Sequence, residues 1–352
     1  MNTFVTFRVI FFACLITLAL GPVCLLLARR LGLVDVPGAE THKQHRNSVP
    51  VAGGLVLFSA ALILSLTEGV YRLGSVPAIL LSGGIIFVFG LLDDAYRLPP
   101  AWKLAGQLLA SAALIALGVH VRIFGNPWLD FPLTLFWMVG ITNAYNFVDS
   151  MDGLALGVAG MASAFFMLVS IDSGQGDLSL FSTILLGACL GSYYFNTSPA
   201  YYFVGDSGAQ YLGFSLAALG IAYNPVGFSP LASWYVPILL VGVPIFDTTL
   251  VVVSRLRRGV PVYKGAMDHT YHRLVALGMS SNRAVATMHI AALLLGCLAF
   301  IALSLPPLFA NLIFAAVLAL AAVSLVLLER SFSPAKREIF KEETLPERLP
   351  PA

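Results

Sequence analysis

The sequence predicts an all-α protein, a polytopic integral membrane bundle of about eleven transmembrane helices. Of the 352 residues, 58% are hydrophobic and only 11% are charged, and the mean hydropathy is +0.87. A typical soluble domain has about 25% charged residues. The apolar residues also occur in runs of about 20, the length that an α-helix needs to cross a bilayer. These observations exclude a soluble globular protein of this size.

Hydropathy divides residues 1–330 into eleven predicted spans, which we expect to form one transmembrane domain. The predicted spans are 4–28, 50–66, 76–92, 103–119, 131–148, 153–171, 179–195, 208–222, 234–253, 285–304 and 308–328. Residues 331–352 mix charges with prolines and are predicted to be a cytoplasmic, partly disordered tail. The first span precedes Arg29-Arg30, whereas a secretory signal has its positive charges before the apolar run, so an uncleaved span is expected.

The distribution of Lys and Arg predicts which side each loop faces. Of the 20 basic residues, 17 lie after odd-numbered spans or in the tail, and only Arg8, Arg72 and Arg122 do not. Positive charges accumulate in cytoplasmic loops. The N-terminus is therefore expected outside and the C-terminus in the cytoplasm.

Acidic residues on the predicted cytoplasmic side are separated from the basic ones. The loops around Asp149 and Asp206 contain no Lys or Arg, whereas the loop after the ninth span is strongly basic. Loops that meet in the folded bundle would form an acidic centre with a basic rim. Such a centre suits a polyanion bound together with a divalent cation.

The most informative stretch is Asn143–Ala155, at the end of the fifth span. Asn143 and Asn146 are three residues apart, and Asp149 and Asp152 continue that spacing, so a continuous helix would place all four on one face. Amide and carboxylate groups are costly near a bilayer, and they mark functional sites by default. The cluster needs an outside partner, either a metal ion or hydrogen-bond donors from other helices.

Two further carboxylate motifs lie at predicted helix ends. Asp93-Asp94 end the third span, and Lys103 begins the next, where an ammonium group can hold a phosphate. Asp206 lies between two glycines at the start of the eighth span, where exposed backbone N–H groups favour an anion. Interfacial end charges and a helix cap are the alternative interpretations. Small residues in Pro50–Gly54 indicate close helix packing.

The loop after the ninth span contains His269, His272 and Arg273, whose side chains can donate hydrogen bonds to phosphate oxygens. A second H-x-x-H pair occurs at His42 and His45. The two pairs could form a four-histidine zinc site. We favour the phosphate interpretation, because a structural zinc site made only of histidines is unusual and oxygen acceptors dominate in this chain.

Together these motifs resemble the polyprenyl-phosphate N-acetylhexosamine-1-phosphate transferase family (glycosyltransferase family 4), over nearly the whole chain outside the tail. The shared blocks, in order, are Lys43-x-His45, Val49-Pro50, Gly53-Gly54, Asp93-Asp94, Asn143-x-x-Asn146-x-x-Asp149-x-x-Asp152-Gly153, Gly205-Asp206-Ser207-Gly208, Pro244-x-x-Asp247 and His269-x-x-His272-Arg273. The histidine motif lacks the triple-His form of the phospho-N-acetylmuramoyl-pentapeptide transferase branch. It is more similar to the UDP-N-acetylglucosamine–undecaprenyl-phosphate branch. Many relatives have a basic residue where this chain has Val51.

The resemblance implies a reaction in which the phosphate of undecaprenyl phosphate, or another polyprenyl phosphate, attacks the sugar-proximal phosphate of a UDP-sugar. UMP leaves, and a lipid-pyrophosphate-linked sugar forms for cell-surface polysaccharide synthesis. N-acetylglucosamine-1-phosphate is the expected group transferred. The expected location is a bacterial cytoplasmic (inner) membrane, with the active site facing the cytoplasm. No nucleic-acid partner is expected, and a homodimer is left open.

The resemblance also implies the role of each site residue. Mg²⁺, with Mn²⁺ as the alternative, would be held by Asp206 and Asn146, while Asp93 takes or positions the proton of the lipid phosphate, supported by Asp94. The remaining residues would bind substrates, and they are Asn143, Asp149, Asp152, His269, His272, Arg273, Lys103, Lys43 and His45.

Two alternatives are retained. The same chemistry on another UDP-sugar, or on UDP-MurNAc-pentapeptide, is the alternative within the enzyme class. A cation-coupled transporter is the alternative from a different class, because it too would place carboxylates at membrane depth. A transporter predicts acids near the bilayer midplane and an internal repeat. The acids of this chain lie at span ends instead.

Overall fold

The computed structural model describes residues 2–35, 48–225, 227–261 and 267–331. In this part of the chain a short antiparallel hairpin, β1 (Val34–Asp35) with β2 (Val49–Pro50), accompanies a series of helices. The helices are α1 (Thr3–Arg30), α2 (Gly53–Thr67), α3 (Val76–Tyr96), α4 (Pro100–Ala116), α5 (Pro127–Val148), α6 (Leu154–Asp172), α7 (Gly176–Asn196), α8 (Gly205–Ala222), α9 (Pro230–Ser233), α10 (Val236–Leu240), α11 (Gly242–Arg257), α12 (Thr270–Ala276), α13 (Ser281–Leu303) and α14 (Pro307–Ser331).

The predicted all-α membrane architecture is confirmed in its main features. Among the described residues, six helices are long and apolar enough to cross a membrane, and the count is seven if the bent pair Pro230–Leu240 and Gly242–Arg257 forms one span. The six are α1, α3, α6, α7, α13 and α14. The protein is therefore a multi-pass helical membrane protein. The number of eleven spans and the orientation stay predictions.

The ninth predicted span, 234–253, is not one straight helix. The chain bends by 67° between α10 and α11, and Val241 at the break has non-helical dihedral angles of φ −108° and ψ 23°. Pro244 explains the break, because it has no N–H to donate to the carbonyl of Leu240 four residues earlier. The bend separates α11 and its basic C-terminal end from the short helices before it.

Helix α8 is the centre of the bundle. Every residue from Ser207 to Leu219 is buried, and a helix that is buried all round needs neighbours on every side. The helices α2, α3, α5, α6, α7 and α10 all contact it. Its N-terminal end, which carries Asp206, is therefore held by the rest of the fold.

Glycines let α2 and α3 approach the start of α8 closely. A Cβ atom on Gly54 would lie 2.0 Å from Ser207 Oγ, and one on Gly90 would lie 2.5 Å from Ser207 Cα. The backbone adds two hydrogen bonds, from Gly53 N to Phe203 O and from Gly54 N to Val204 O, both at 3.0 Å. The close packing expected from the small residues at the start of the second span is thus present.

Candidate active site

The site is built on the first turn of α8, which is capped from a different helix. Asp94, near the end of α3, accepts hydrogen bonds from Asp206 N at 2.7 Å and Ser207 N at 3.1 Å, and from the Ser207 hydroxyl. The N-cap residue of α8, Val204, offers no side-chain hydrogen bond. Asp94 therefore satisfies N–H groups that every helix start leaves without partners, and the Asp206 carboxylate is not needed as the cap.

A single ammonium group lies between two carboxylates at this end of the bundle. Lys103 Nζ forms ion pairs with Asp93 Oδ2 and with Asp206 Oδ2, the latter at 3.4 Å. The other oxygen of Asp93 accepts a hydrogen bond of 2.7 Å from Leu98 N, in the α3–α4 turn. The predicted association of Lys103 with the acidic pair is present, and it extends to the third acid.

Asn146, in the last turn of α5, completes this arrangement. Its Nδ2 donates a hydrogen bond of 2.6 Å to Asp206 Oδ1. The amide nitrogen thus faces Asp206, and the amide oxygen is the atom that can be offered to a cation. The structure therefore brings together Asn146 and Asp206, the two residues predicted to hold a metal.

Asn143 lies one turn earlier on α5, and its amide is hydrogen-bonded to α4 and to the backbone of α5. It donates to Gln107 Oε1 at 2.8 Å and to Val139 O at 2.8 Å, and it accepts from Gln107 Nε2 at 3.1 Å. Gln107 Nε2 also lies 3.3 Å from Gln210 Oε1. The substrate-binding role expected for Asn143 stays a prediction, and its observed partners are the Gln107 side chain of α4 and the Val139 carbonyl of its own helix.

The expected helical stripe from Asn143 to Asp152 is interrupted. Helix α5 ends at Val148, and Gly153 has a φ of +76°, a left-handed conformation that glycine adopts easily. Asp149 and Asp152 therefore lie in a turn between α5 and α6. The Gly153 N–H donates to Asn196 Oδ1 at 3.0 Å, which ties this turn to α7.

Asp149 still faces the acidic group. Its carboxylate accepts a hydrogen bond from the backbone N–H of Gly205. Burial raises the pKa of Asp149 well above its ordinary value, and the negative charges of Asp206, Asp94 and Asp152 act in the same direction. These carboxylates therefore form an electrostatically crowded group that favours an added cation.

The histidine motif lies on the other side of the same turn. His269 Nδ1 is 2.8 Å from Asp247 Oδ2 on α11, and this contact orients the imidazole ring. The Tyr271 hydroxyl donates to Ser150 O at 3.0 Å and lies 2.6 Å from His272 Nε2. The structure thus connects α12 with the loop that carries Asp149 and Asp152.

Arg273 has a different environment from the one expected of a substrate ligand. Its side chain is fully buried, and Nη1 contacts Glu329 Oε2 at 2.6 Å and Leu328 O at 3.2 Å on α14. Its Nε donates to Asp268 O at 3.0 Å. The substrate role of Arg273 stays a prediction, and these contacts connect it to α14 and to the α11–α12 loop.

Lys43 and His45 lie outside the described residues, as does His42. Among the residues that are described, no group of three or more His, Cys, Asp or Glu side chains is arranged to hold a metal by itself. Mg²⁺ usually takes one or two carboxylates and fills its other positions with water and substrate phosphates. Asp206 and Asn146 offer a carboxylate and an amide oxygen at one place. Lys103 lies where a cation balances two carboxylates.

Sequence reasoning overlooked several polar residues of the site. Gln107 lies four residues after Lys103, and Gln210 lies four residues after Asp206, so each is on the same helix face as a site residue. A glutamine within an apolar helix, one turn from a predicted ligand, was the available signal. Asp247 belongs to one of the shared blocks. Its contact with His269 joins residues 22 positions apart and has no local sequence signal.

Comparison with known proteins assigns the chain to a family. The model of glycosyl transferase family 4 matches residues 76–224, which contain α3 to α8. The probable undecaprenyl-phosphate N-acetylglucosaminyl 1-phosphate transferase of Bacillus subtilis is 32% identical, with 78% of this chain and 79% of the relative covered. The chain belongs to glycosyl transferase family 4.

Other relatives agree with the predicted branch of glycosyl transferase family 4. The decaprenyl-phosphate N-acetylglucosaminephosphotransferase of Mycobacterium tuberculosis is 33% identical, with 77% of this chain and 76% of the relative covered. The phospho-N-acetylmuramoyl-pentapeptide-transferase of Bacillus cereus is 29% identical, with 78% and 90% covered. The predicted greater similarity to the N-acetylglucosamine branch is confirmed.

Proposed function

We propose that the protein is an Mg²⁺-dependent phosphoglycosyltransferase of a bacterial inner membrane. It transfers N-acetylglucosamine-1-phosphate from UDP-N-acetylglucosamine to undecaprenyl phosphate and releases UMP. The observation that carries the proposal is the position of Lys103 between Asp93 and Asp206, beside Asn146. Phosphoryl transfer depends mainly on positioning and charge neutralisation, which this arrangement of opposite charges can provide.

Asp206 and Asn146 would hold the Mg²⁺ ion. When bound, the ion supplies positive charge that neutralises the pyrophosphate of the nucleotide sugar. Asp94 fixes the backbone of Asp206 and Ser207 and so sets the position of the metal-side carboxylate. Because both carboxylate oxygens of Asp94 are bonded to the start of α8, we assign Asp94 a positioning role and no direct contact with substrate.

Lys103 and Asp93 would act on the lipid phosphate. The Lys103 ammonium would attract the phosphate to the start of α4, and Asp93 would take or position its proton, so that a phosphate oxygen can attack. Asp93 is almost fully buried and is anchored by Leu98 N and Lys103. These two contacts support a fixed orientation of the Asp93 carboxylate.

Asp149, Asp152, His269 and His272 would bind the nucleotide sugar. The contact between Tyr271 and the Ser150 carbonyl supports a shared pocket wall of α12 and the α5–α6 turn. Asp247 would accept a hydrogen bond from His269 Nδ1 and so orient the ring, and Nε2 would donate to a phosphate or sugar oxygen when both ring nitrogens carry a proton. The product, a lipid-pyrophosphate-linked sugar, would serve cell-surface polysaccharide synthesis.

Incubation of the purified protein with a panel of radiolabelled UDP-sugars and polyprenyl phosphates tests the proposal. We expect a lipid-soluble product from UDP-N-acetylglucosamine, dependent on Mg²⁺ or Mn²⁺ and abolished by EDTA. A product formed only from UDP-MurNAc-pentapeptide, or only from another UDP-sugar, would correct the donor. The absence of any lipid product from the whole panel would overturn the proposed activity.

A further inference from the structure

Three amide side chains form a second polar layer next to Lys103, Asn146 and Asp206, which we call the charged layer. Gln107, Asn143 and Gln210 come from α4, α5 and α8, and they are joined by the hydrogen bonds of Gln107 with Asn143 and Gln210. Gln107 and Gln210 are each 2% exposed. A buried amide network stabilises one arrangement of its helices when its members are paired.

Each member of this amide layer lies one helical turn from a member of the charged layer above it. Gln107 is four residues after Lys103, and Gln210 is four residues after Asp206. Asn143 is three residues before Asn146. Residues three or four apart lie on the same helix face, so the same three helices carry both layers in register.

The hydrogen-bond donors of two of these amides are all used within the protein. Both N–H bonds of Asn143 are donated, to Gln107 Oε1 and to Val139 O. Both N–H bonds of Gln107 are donated as well, to Asn143 Oδ1 and Gln210 Oε1. An amide has two N–H donors, so neither residue has a donor left for a substrate.

We propose that Gln107, Asn143 and Gln210 are positioning residues that fix the register of α4, α5 and α8, so that Lys103, Asn146 and Asp206 meet at one point. The assignment gives Asn143 a structural task in place of a substrate contact. It rests on the proposed function only where turnover is measured. The convergence of the three charged-layer residues is a property of the folded protein and can be measured without substrate.

The test uses a variant that removes the network without leaving a buried amide unpaired. Replacing all partners of a hydrogen-bond network with apolar groups of similar shape can be nearly neutral for stability. The triple substitution Gln107→Met, Asn143→Leu and Gln210→Met meets this condition. The matched control is Ser111→Ala on α4, which loses one buried bond of 2.7 Å to Gln107 O within the same helix.

Two readouts are measured on full-length protein in detergent, namely Mn²⁺ affinity by electron paramagnetic resonance and turnover with UDP-N-acetylglucosamine. We expect Mn²⁺ affinity and kcat to fall by about 10- to 100-fold in the triple variant, the range for groups that orient metal ligands. The control and the thermal midpoint should change little. The single substitution Gln210→Leu should lower Mn²⁺ affinity in the same direction.

A folded triple variant whose Mn²⁺ binding and turnover equal those of the wild type overturns the positioning role, whether or not transfer is detected. A triple variant that unfolds leaves Gln210→Leu as the deciding variant, with unchanged Mn²⁺ binding again contradicting the proposal. Failure of the proposed function has a separate signature, in which the wild type binds Mn²⁺ but forms no lipid product. Weakened binding in the variant supports the positioning role in that case too.

Discussion

At the residue scale, the carboxylates of this site have two different tasks. One carboxylate binds the backbone of α8, and others belong to the charged cluster of Lys103, Asp93 and Asp206. Asp94 is the backbone-holding member, because both of its oxygens are bonded to the first turn of α8. Asp93 differs, because it pairs with the ammonium of Lys103. The sequence predicted that the adjacent pair is functional. It could not assign these different tasks, because the partners of Asp94 lie more than 100 positions away.

The first prediction concerns the cap that Asp94 provides. Asp94→Asn should lower thermal stability by about 1–3 kcal/mol, because a neutral amide cannot accept all three of the hydrogen bonds that the carboxylate accepts. Turnover should fall as well, because Asp206 loses the bond to its backbone N–H. Thermal unfolding and initial rates of the purified variant measure the two effects.

Ser207→Ala provides the control for this cap, since the Ser207 hydroxyl donates to the same carboxylate. The two substitutions should be non-additive in a double-mutant cycle, with an interaction energy of roughly 0.5–3 kcal/mol. Strictly additive losses would show that Asp94 acts elsewhere.

At the scale of helices, the sequence predicted the position of most elements but not the contacts between them. The eleven hydropathy segments coincide with described helices or, for the ninth, with the bent group α9–α11. The three-residue spacing predicts that Asp149 and Asp152 continue the helical face of α5, but the structure has a turn at these residues. Three-residue spacing looks the same in a helix and in a turn that is closed by a left-handed glycine.

The second prediction concerns the close approach of α3 and α8. Gly90→Ala should sharply reduce both turnover and thermal stability, because the new Cβ would lie 2.5 Å from Ser207 Cα and would push the helices apart. The loss of stability should be about 1–3 kcal/mol. Thermal unfolding in detergent and the rate of lipid product formation measure both effects.

Gly84→Ala is the matched control on the same helix. A Cβ at Gly84 would meet Phe58 Cζ at 3.6 Å, an ordinary van der Waals contact. Both variants gain the same helix propensity, roughly 1 kcal/mol, so their difference reports the steric contact alone. Equal behaviour of Gly90→Ala and Gly84→Ala would contradict the packing account.

The third prediction concerns the basic loop after α11. Asp268 is 2% exposed and pairs with Arg255, at 2.8 Å, and with Arg258. Burial acts to raise its pKa, but the hydrogen bonds from Arg255 and Arg258 prevail and lower the pKa of Asp268 to about 2, from an ordinary value of 3.8. These arginines, interpreted from the sequence as topology signals, thus also have a structural task.

Because the folded-state pKa of Asp268 is lowered, its contribution to stability is complete above about pH 4 and is lost as the pH falls through about 2. Asp268→Asn should therefore destabilise the protein by about 3–5 kcal/mol at pH 7. The difference from wild type should shrink between pH 4 and pH 2. Unfolding midpoints across pH measure this, with Asp172→Asn, an exposed carboxylate on α6, as the control. A difference that persists unchanged to pH 2 would contradict the assignment.

At the scale of the whole molecule, one end of the bundle carries the cluster of Lys103, Asp93, Asp206 and Asn146. The ends of α3 and α5 and the starts of α4 and α8 meet there, although they are far apart in the chain. Composition and periodicity predicted the membrane class, and the order of motifs predicted the family. Which side chains share a contact could not be predicted, because helix packing angles and the amide layer depend on three-dimensional complementarity.

Side-chain contacts also connect α12 and α14 to the rest of the bundle. Arg273 joins α12 to Glu329 on α14, at 2.6 Å, while Tyr271 joins α12 to the α5–α6 turn. Only Ala310 and Phe314 are buried in the last helix, and these contacts attach its C-terminal part to the predicted nucleotide-sugar side.

Catalysis of phosphoryl transfer to a lipid phosphate by this charged cluster is tested by following label from UDP-N-acetylglucosamine that carries ³²P in its sugar-proximal phosphate. With undecaprenyl phosphate and Mg²⁺, the wild type should move the label into the lipid phase and release one unlabelled UMP per labelled lipid. Asp206→Asn should lower this rate by about 100-fold or more, because several kcal/mol of charge stabilisation is lost, while Asp172→Asn should not. Label that stays in the aqueous phase as UDP while sugar enters the lipid, or a near-normal rate for Asp206→Asn, would contradict the account.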